Sequence, residues 1–284
     1  MTRNRSRRSV DYTARTAEAA DRPVPIRVYD AAPGSGNSML LWMHGGGFVG
    51  GTVAMPESDA VCRALAARGC SCVSVDYRLA PAPGRRSGRA HYPSALDDCT
   101  GAWRWLQAHA EQAGVPAGRR FVAGASAGGA LAATLALRLR DNGSPAPAGV
   151  ALVYPLLHPT LLEPSPELRH ELRGWRGLGT FTPRSVSWMA KTYVGKDHLE
   201  RIPDAFPGGA DLSGFPPTLI VNSERDSLRS SGERFGEELR AHDRPVEVSV
   251  EPGTLHGHLN RPRRPGFDRT IDRIVNWLEN PSCS

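Results

Sequence analysis

A serine flanked by glycines, at Gly124–Gly128 (GASAG), is the pattern in this sequence with the clearest chemical potential. It follows a short apolar run, Phe121–Ala123, and precedes a segment that is apolar on nearly all sides, Ala127–Leu139. Between a strand and a helix, G-x-S-x-G forms a strained turn that exposes the serine Oγ above the sheet. The glycines let the neighbouring backbone pass without a Cβ clash. The pattern therefore predicts a nucleophile at Ser126.

A second glycine-rich stretch, His44–Phe48 (HGGGF), directly follows the apolar run Met39–Met43. The backbone N–H groups of successive glycines are not crowded by side chains, so they can stabilise an oxyanion that develops on a carbonyl. Together with the N–H of Ala127 they would form a hole with two or three donors. A phosphate-binding loop is the alternative, but neither G-K-[ST] nor the G-x-G-x-x-G spacing is present. We expect His44 to hold this loop by hydrogen bonding rather than to act as a base.

A serine nucleophile needs a base, and the base needs an orienting acid. In a parallel α/β sheet both groups lie on loops at the carboxyl ends of later strands. Asp226 lies four residues beyond the strand candidate Thr218–Asn222, and His256 follows the next strand candidate, Val246–Val250. The chain order of serine, acid and histidine is that of α/β-hydrolases.

Two neighbouring residues compete for these roles. Glu224 lies two residues before the candidate acid, and His258 lies two residues after the candidate base, so both stay open as alternatives. His242 precedes its strand and is expected at the wrong end of the sheet. The other histidines are interpreted as surface or structural groups, and His158, just past a strand end, is the one that most needs comparison with the structure.

The elements that must position these residues alternate between short apolar runs and longer helical patterns, which predicts a parallel sheet with crossover helices. Several runs are continuously apolar, as expected for strands covered on both faces. A first strand is expected near Val10–Thr13. The other strand candidates are Pro25–Tyr29, Met39–Met43, Cys72–Asp76, Phe121–Ala123, Val150–Tyr154, Thr218–Asn222 and Val246–Val250.

One long segment, residues 157–209, interrupts this alternation. It contains several prolines and a helical piece, Ser185–Tyr193, and it lies between two strand candidates, which indicates an inserted cap rather than a second domain. We therefore expect a single domain over residues 1–284, with a disordered basic tail at residues 1–9. Four aromatic residues are candidates either for pocket walls or for packing between cap and core: Phe48, Phe181, Trp188 and Tyr193.

Composition limits the other function classes. The chain of 284 residues carries a net charge of +6, but only Lys191 and Lys196 among its 35 basic residues are lysine. Such an arginine excess is typical of codon bias, and no nucleic-acid-binding motif accompanies it, so we expect no nucleic-acid partner. Five cysteines without a C-x-x-C pair indicate neither a disulfide framework nor a metal site. No apolar run is long enough for a membrane span and no secretory signal is evident, which predicts a cytoplasmic protein.

Six motifs, in order, resemble those of the hormone-sensitive-lipase-like α/β-hydrolases, the bacterial family IV esterases. They are HGGGF, DYRLAP, YPSALDD, GASAGG, the DLSGFPPTLIV segment with its downstream Asp, and the terminal LHG. The resemblance extends from about Val24 to the end of the chain. It implies the α/β-hydrolase fold: a mostly parallel eight-stranded sheet with helices on both faces and a helical cap.

The resemblance also implies an activity, the hydrolysis of short- to medium-chain carboxylic esters without a cofactor. Motif by motif, it implies Ser126 as nucleophile, Asp226 as acid and His256 as base, and therefore favours His256 over its neighbour. It implies oxyanion donors at Gly46, Gly47 and Ala127. Its further implications are a small-molecule ester as substrate, structural roles for Asp76 and Arg78, and compatibility with a homodimer.

The chain departs from the family pattern at several positions. Ala125 stands where the family usually has Asp before the nucleophile, Ser227 stands where Pro usually follows the acid, and Ala82 replaces an acidic residue. About seven extra residues, around Gly84–Ala90, follow DYRLAP. Few residues precede the first strand candidate, so we expect a reduced cap.

These departures leave alternatives to a simple esterase. A reduced cap would admit a bulky molecule, so the enzyme could instead be a deacetylase or deacylase of a biosynthetic intermediate. A non-hydrolytic lyase or dehydratase on the same fold is a rarer variant. A binding protein on an inactive scaffold is the remaining class, but such proteins typically lose one of the three candidate catalytic residues, and this chain retains all three.

Overall fold

The computed structural model describes residues 10–32, 37–82, 90–174 and 180–281. Within these ranges eight strands form one sheet. The strands are β1 (Thr13–Glu18), β2 (Pro23–Tyr29), β3 (Ser38–Met43), β4 (Cys70–Val75), β5 (Arg120–Ala125), β6 (Val150–Val153), β7 (Thr218–Arg225) and β8 (Val246–Leu255).

The sheet has the order β1-β2-β4-β3-β5-β6-β7-β8. β2 runs antiparallel to both of its neighbours, and all strands from β4 to β8 along the sheet are parallel. The carboxyl ends of β3, β5, β6, β7 and β8 therefore meet at one edge. Because loops at this edge carry the functional groups of open α/β sheets, the topology brings distant motifs of the sequence together.

Eight α-helices accompany the sheet in the described residues. They are α1 (Asp59–Ala66), α2 (Ser94–Gln112), α3 (Ala127–Asp141), α4 (Pro166–Glu171), α5 (Pro183–Val194), α6 (Ile202–Ala205), α7 (Arg229–Ala241) and α8 (Pro265–Glu279). The helices α1 and α8 belong to one apolar cluster with one face of the sheet. The helices α2, α3 and α7 belong to a second cluster with the other face.

β3 shows why the central strands read as continuous apolar runs. Every residue of β3 is buried. Leu41 packs in one apolar cluster, whereas Leu40 and Trp42 pack in the other. Side chains alternate across a strand, so both faces must be apolar when helices cover both. The expected α/β-hydrolase architecture, with helices on both faces, is confirmed.

Most strand boundaries differ by one to three residues from the sequence-based prediction, and those of the first and the last strand differ most. The first strand is Thr13–Glu18 rather than a strand near Val10–Thr13. The last strand continues from Val250 to Leu255, through a segment whose Pro and Gly favour a loop. Pairing with β7, which itself extends to Arg225 with an irregular register, overrides this local preference.

The expected cap segment contains α4, α5 and α6 in its described part. The helical piece predicted at Ser185–Tyr193 is α5, which begins with a reciprocal capping box between Thr182 and Ser185. The buried face of α5 includes Met189, whose Sδ would lie 2.7 Å from a Cβ at Gly47. Part of the cap thus lies directly over the glycine loop. The predicted tail at residues 1–9 lies outside the described residues, as does the extra loop apart from Ala90.

Candidate active site

The GASAG turn joins β5 to α3 in a strained conformation. Ser126 has φ 54° and ψ −120°, a backbone region that non-glycine residues rarely adopt. A Cβ at Gly124 would lie 2.2 Å from the Gly128 oxygen, and a Cβ at Gly128 would lie 2.2 Å from the Met43 oxygen. The turn is therefore possible only with glycine at both positions. The prediction of a strand–turn–helix around Ser126 is confirmed.

Ser126, His256 and Asp226 form a continuous chain of hydrogen bonds. His256 Nε2 lies 3.0 Å from Ser126 Oγ, and His256 Nδ1 lies 2.6 Å from Asp226 Oδ2. The Asp226 side chain is fully buried, and its Oδ1 accepts the backbone N–H of Leu228 at 3.0 Å. When a carboxylate accepts the Nδ1 proton, Nε2 is left with its lone pair free to take a proton from the serine. The arrangement can therefore generate an alkoxide-like nucleophile.

The two alternatives to the acid and the base have other partners. Glu224 Oε2 accepts the backbone N–H of Gly253 at 3.1 Å, so this carboxylate braces the end of β8. His258 is buried, with Nδ1 2.8 Å from Ser223 Oγ and Nε2 2.8 Å from Thr270 Oγ1. Burial, assisted by the nearby His256, lowers the pKa of His258 to about 3. His258 is thus a neutral bridge between β7 and α8.

His158, just past the end of β6, belongs to a second cluster of a serine, a histidine and a carboxylate. Its Nδ1 lies 2.8 Å from Ser231 Oγ and its Nε2 lies 3.3 Å from Glu238 Oε1. Ser231 Oγ also accepts the backbone N–H groups of Leu157 and His158. Glu238 accepts the N–H of Gly209, so the cluster fastens both ends of the cap segment to α7. These bonds give His158 a structural role.

The glycine loop after β3 has a tightly turned backbone with N–H groups that are unpaired among the described residues. Gly46 and Gly47 have φ values of 126° and 61°, and a Cβ at Gly46 would lie 2.1 Å from the Gly50 oxygen. The N–H of Gly45 donates to Glu57 Oε1 at 2.6 Å. Within the described ranges, the N–H groups of Gly46, Gly47 and Ala127 have no protein acceptor. Three such donors near one serine can stabilise an oxyanion.

His44 contacts the backbone of this loop through its ring. Its Nδ1 lies 2.7 Å from the Gly45 oxygen, and its ring stacks on Tyr77 with a centroid separation of 4.3 Å. Burial lowers the pKa of His44, which keeps the imidazole neutral. The expectation that His44 holds the loop by hydrogen bonding is confirmed.

The four aromatic candidates separate into different environments. Phe181 of the cap contacts the His256 ring edge-to-face at 4.7 Å. Phe48 stacks on Tyr193 at 4.0 Å, and both are buried, so they pack the cap against the core. Trp188 lies on the outer face of α5 with 47% of its surface exposed. Among these four candidates, Phe181 is the one with a ring contact to His256 in the described residues.

Two contacts at the site were not foreseen from the sequence. The Tyr154 ring lies 4.9 Å from the His256 ring, and its hydroxyl donates to Glu57 Oε2 at 2.7 Å. Neither residue stands in a recognisable motif. Tyr154 directly follows β6 and Glu57 lies just before α1, so both positions are expected at the edge of the sheet that carries the site. Position along the chain is the one feature of the sequence that could have indicated them.

The family departures next to Ser126 and Asp226 have local explanations. Ala125 is fully buried in an apolar cluster that also holds Val153 and Tyr154, so no polar partner is needed beneath the turn. Ser227 donates its hydroxyl proton to the Phe181 oxygen at 3.0 Å. A proline could not make this bond, so Ser227 provides a link between the acid loop and the cap.

Two further features bear on the function class. In the part of the chain that the structure describes, no three His, Cys, Asp or Glu side chains are grouped so as to hold a metal ion. Over the same residues, no helix combines the length and apolar character required to cross a membrane.

Curated relatives of known name match most of the chain. The esterase LipI of Mycobacterium tuberculosis is 35% identical over 84% of this chain and 71% of its own length. The carboxylesterase NlhH of the same organism is 35% identical over 84% of this chain and 72% of its own length. An ethyl acetate hydrolase of Pseudomonas putida is 32% identical over 83% and 71% of the two chains.

Solved structures show the same similarity. An esterase of Pyrobaculum calidifontis superposes with a TM-score of 0.81 at 30% identity, covering 96% of this chain and 87% of its own. The carboxylesterase EstE1 from a metagenomic library gives 0.82 at 28% identity, covering 98% and 92%. The sequence profile of a family described as having the alpha/beta hydrolase fold matches residues 40–260. The chain therefore belongs to this family of α/β-hydrolases, as its resemblance to the hormone-sensitive-lipase-like esterases predicted.

Proposed function

We propose that the protein is a serine carboxylesterase that hydrolyses short- to medium-chain carboxylic esters through an acyl-enzyme. The observation that carries the proposal is the chain from Ser126 Oγ to His256 Nε2 at 3.0 Å and from His256 Nδ1 to Asp226 Oδ2 at 2.6 Å. Similarity to proteins named esterase and carboxylesterase supports the same reaction class.

In the first half of the reaction Ser126 Oγ attacks the ester carbonyl carbon while His256 Nε2 accepts its proton. Asp226 holds the imidazole in the required tautomer and stabilises the imidazolium that forms. The tetrahedral intermediate then collapses, and the imidazolium gives its proton to the leaving alcohol. Water repeats the sequence on the acyl-enzyme and releases the carboxylic acid.

The carbonyl oxygen becomes an oxyanion in both tetrahedral intermediates. We propose that the N–H groups of Gly46, Gly47 and Ala127 bind it, because they have no acceptor within the described residues. Each such donor typically lowers the barrier by about 2.7–4 kcal/mol. The helix α3 begins at Ala127, so its N-terminal dipole favours the same negative charge.

We further propose that residues 157–209 are a cap inserted into one hydrolase domain and not a domain of their own. The His158–Ser231–Glu238 cluster supports this organisation, because it joins both ends of the segment to α7. A homodimer and the absence of a nucleic-acid partner remain predictions from the sequence.

Turnover of a p-nitrophenyl ester series from acetate to decanoate tests the activity. We expect the purified protein to be fastest on the shorter chains and Ser126→Ala to lose this activity, by a factor of about 10⁶ if it follows serine hydrolases in which the nucleophile was removed. Ser144→Ala, in the loop after α3, is the matched control and should retain wild-type rates. Equal rates for the wild type and Ser126→Ala on every ester would contradict the proposal.

A further inference from the structure

Glu57, just before α1, has an unusual environment for a carboxylate. Its exposed fraction is 2%, and the groups that donate hydrogen bonds to its side chain are all neutral. Oε1 accepts from the Gly45 N–H at 2.6 Å, and Oε2 accepts from the Tyr154 hydroxyl at 2.7 Å and from Asn260 Nδ2 at 3.2 Å. A buried carboxylate is costly unless hydrogen bonds compensate for the lost solvation. These three hydrogen bonds provide that compensation and fix the orientation of the carboxylate.

The three donors come from three separate segments of the active-site edge. Gly45 belongs to the loop after β3 that contains the proposed oxyanion donors. Tyr154 directly follows β6, and Asn260 lies four residues after His256 on the loop that follows β8. One carboxylate therefore joins the oxyanion loop to the two segments that flank the base.

The contact with Gly45 lies beside the nucleophile. A Cβ at Gly45 would lie 2.4 Å from Glu57 Oε1 and 3.2 Å from Ser126 Cβ. The short bond to the Gly45 N–H fixes the peptide plane at the start of the glycine loop. Because the next two residues carry the proposed oxyanion donors, this bond limits how those donors can rotate.

The contacts of Oε2 reach the base. Tyr154 has φ 37°, and its ring meets the His256 ring at 4.9 Å with an interplanar angle of 63°. The bond from the Tyr154 hydroxyl to Glu57 therefore holds one wall against the imidazole. Asn260 pairs with Glu57 twice, because Asn260 Oδ1 also accepts the Glu57 backbone N–H at 3.3 Å. This pairing anchors the loop that carries His256.

We propose that Glu57 is a positioning residue for the esterase reaction, and that its carboxylate holds the oxyanion loop and the histidine loop in a fixed relation to each other. The inference rests on the proposed function. Glu57 acts through Gly45, Tyr154 and Asn260 and does not touch the reacting atoms. Its effect is on the geometry in which the oxyanion donors face the serine.

Two substitutions separate the effect of the Oε1 contact with Gly45 from that of the Oε2 contacts with Tyr154 and Asn260. In Glu57→Gln one oxygen can still accept from Gly45, but the amide NH₂ then faces the Asn260 NH₂, which can only donate, and the Tyr154 hydroxyl, which would have to turn and accept. Glu57→Leu removes all the acceptors. Glu251→Gln is the matched control: Glu251 is also 2% exposed, but its carboxylate pairs with Arg269 of α8.

The experiment measures kcat and KM on p-nitrophenyl acetate per active site titrated with a fluorophosphonate, and the inhibition constant of a trifluoromethyl ketone that forms a serine-linked oxyanion. We expect kcat to fall about 10-fold in Glu57→Gln and about 10²–10³-fold in Glu57→Leu, the loss typical of a misplaced oxyanion donor. KM should change less than about threefold, because the geometry acts on the transition state. Affinity for the ketone should fall in parallel with kcat, and Glu251→Gln should keep both values.

Titration per active site removes any unfolded fraction, so a purely structural role would leave kcat unchanged. A kcat within about threefold of wild type for the folded Glu57 variants, or an unchanged ketone affinity, would overturn the inference. If Glu57→Leu does not fold, the near-isosteric Glu57→Gln carries the test alone. Absence of esterase activity in the wild type would instead contradict the proposed function.

Discussion

Asp226 illustrates how burial and hydrogen bonding support the role that we propose for a single side chain. Its carboxylate is fully buried, one oxygen is held by the Leu228 N–H, and the other faces His256 Nδ1. The neighbouring carboxylate of Glu224 bonds instead to Gly253. Two acids two residues apart in the sequence therefore have different functions, because β7 directs them to different partners.

The substitution Asp226→Asn should lower kcat by about 10⁴-fold, as an amide in the place of the acid stabilises the wrong imidazole tautomer. Glu224→Gln should keep kcat within about threefold, because it affects the hydrogen bond from the Gly253 N–H and not the tautomer of His256. Steady-state kinetics on one short-chain ester measures both. A larger loss in Glu224→Gln than in Asp226→Asn would reverse the assignment of the acid.

His258 should make the stability of the protein pH-dependent. Its pKa of about 3 in the folded protein lies below the ordinary value of 6.5, so the unfolded chain takes up the proton first as the pH falls. The stability contribution is complete above pH 6.5 and decreases between pH 6.5 and about 3, by at most about 1.4 kcal/mol per pH unit. Chemical denaturation between pH 7.5 and 5 measures this slope, and His258→Gln should flatten it. An equal slope in the variant would exclude His258 as its source.

Residue types and spacing were sufficient to indicate Ser126 as a candidate nucleophile, but the choice of His256 over His258 also depended on the family resemblance. Types and spacing were not sufficient for Glu57 or Tyr154. A lone glutamate before a helix and a tyrosine after a strand occur throughout globular proteins. Their contacts depend on how β3, β6 and β8 lie side by side, and this order is not visible in the residues themselves.

At the level of elements, the cap is joined to the core by side chains at the start of α7 and just before it. Ser227 Oγ donates to the Phe181 oxygen at 3.0 Å, whereas Ser230 Oγ lies 2.9 Å from the Ser227 oxygen and 3.2 Å from the Leu162 oxygen. The first bond holds Phe181, whose ring contacts His256, whereas the Ser230–Leu162 contact lies near the beginning of the cap segment. Only the first bond therefore bears on the position of a ring beside the base.

The substitution Ser227→Ala should raise KM about 2- to 10-fold with little change in kcat, because one neutral hydrogen bond contributes about 0.5–1.5 kcal/mol to the position of Phe181. Ser230→Ala is the matched control, since the Ser230 hydroxyl contacts the Leu162 oxygen and not that of Phe181, and the variant should leave KM unchanged. Kinetics on the p-nitrophenyl esters gives both values. Equal KM changes in the two variants would show that cap attachment in general, and not Phe181, sets KM.

The elements themselves were largely predictable. Buried strands such as β3 and the amphipathic helices α2 and α8 have strong periodic signals that their burial explains. The end of β8 was not predictable, because Pro252 and Gly253 indicate a loop. There the tertiary pairing with β7 decides the structure, and sequence patterns carry no direct information about pairing partners.

At the scale of the whole molecule, a buried ion pair connects distant parts of the fold. Asp98 of α2 is fully buried and accepts from the Arg78 backbone N–H at 2.8 Å and from its guanidinium at 2.9 Å. Arg78 also pairs with Asp21 between β1 and β2. The predicted structural role of Arg78 is confirmed, and its contacts hold the antiparallel edge of the sheet against α2.

The substitution Asp98→Ala should lower the free energy of unfolding by about 3–5 kcal/mol, since it leaves a mostly buried guanidinium with one partner fewer. Asp97→Ala is the control, because Asp97 pairs with Arg138 near the surface and should contribute less than about 1 kcal/mol. Denaturant titration of both variants measures the difference. Similar losses for the two would contradict the central role of the Arg78–Asp98 pair.

The most direct test of the account is to identify the residue that becomes acylated. The protein is mixed with p-nitrophenyl acetate, quenched in acid within milliseconds, digested, and analysed by peptide mass spectrometry. The account predicts one acetyl group on the peptide that contains Ser126, a burst of nitrophenol of equal size, and neither signal in Ser126→Ala. An acetyl group on a different residue, or turnover that persists in Ser126→Ala, would contradict it.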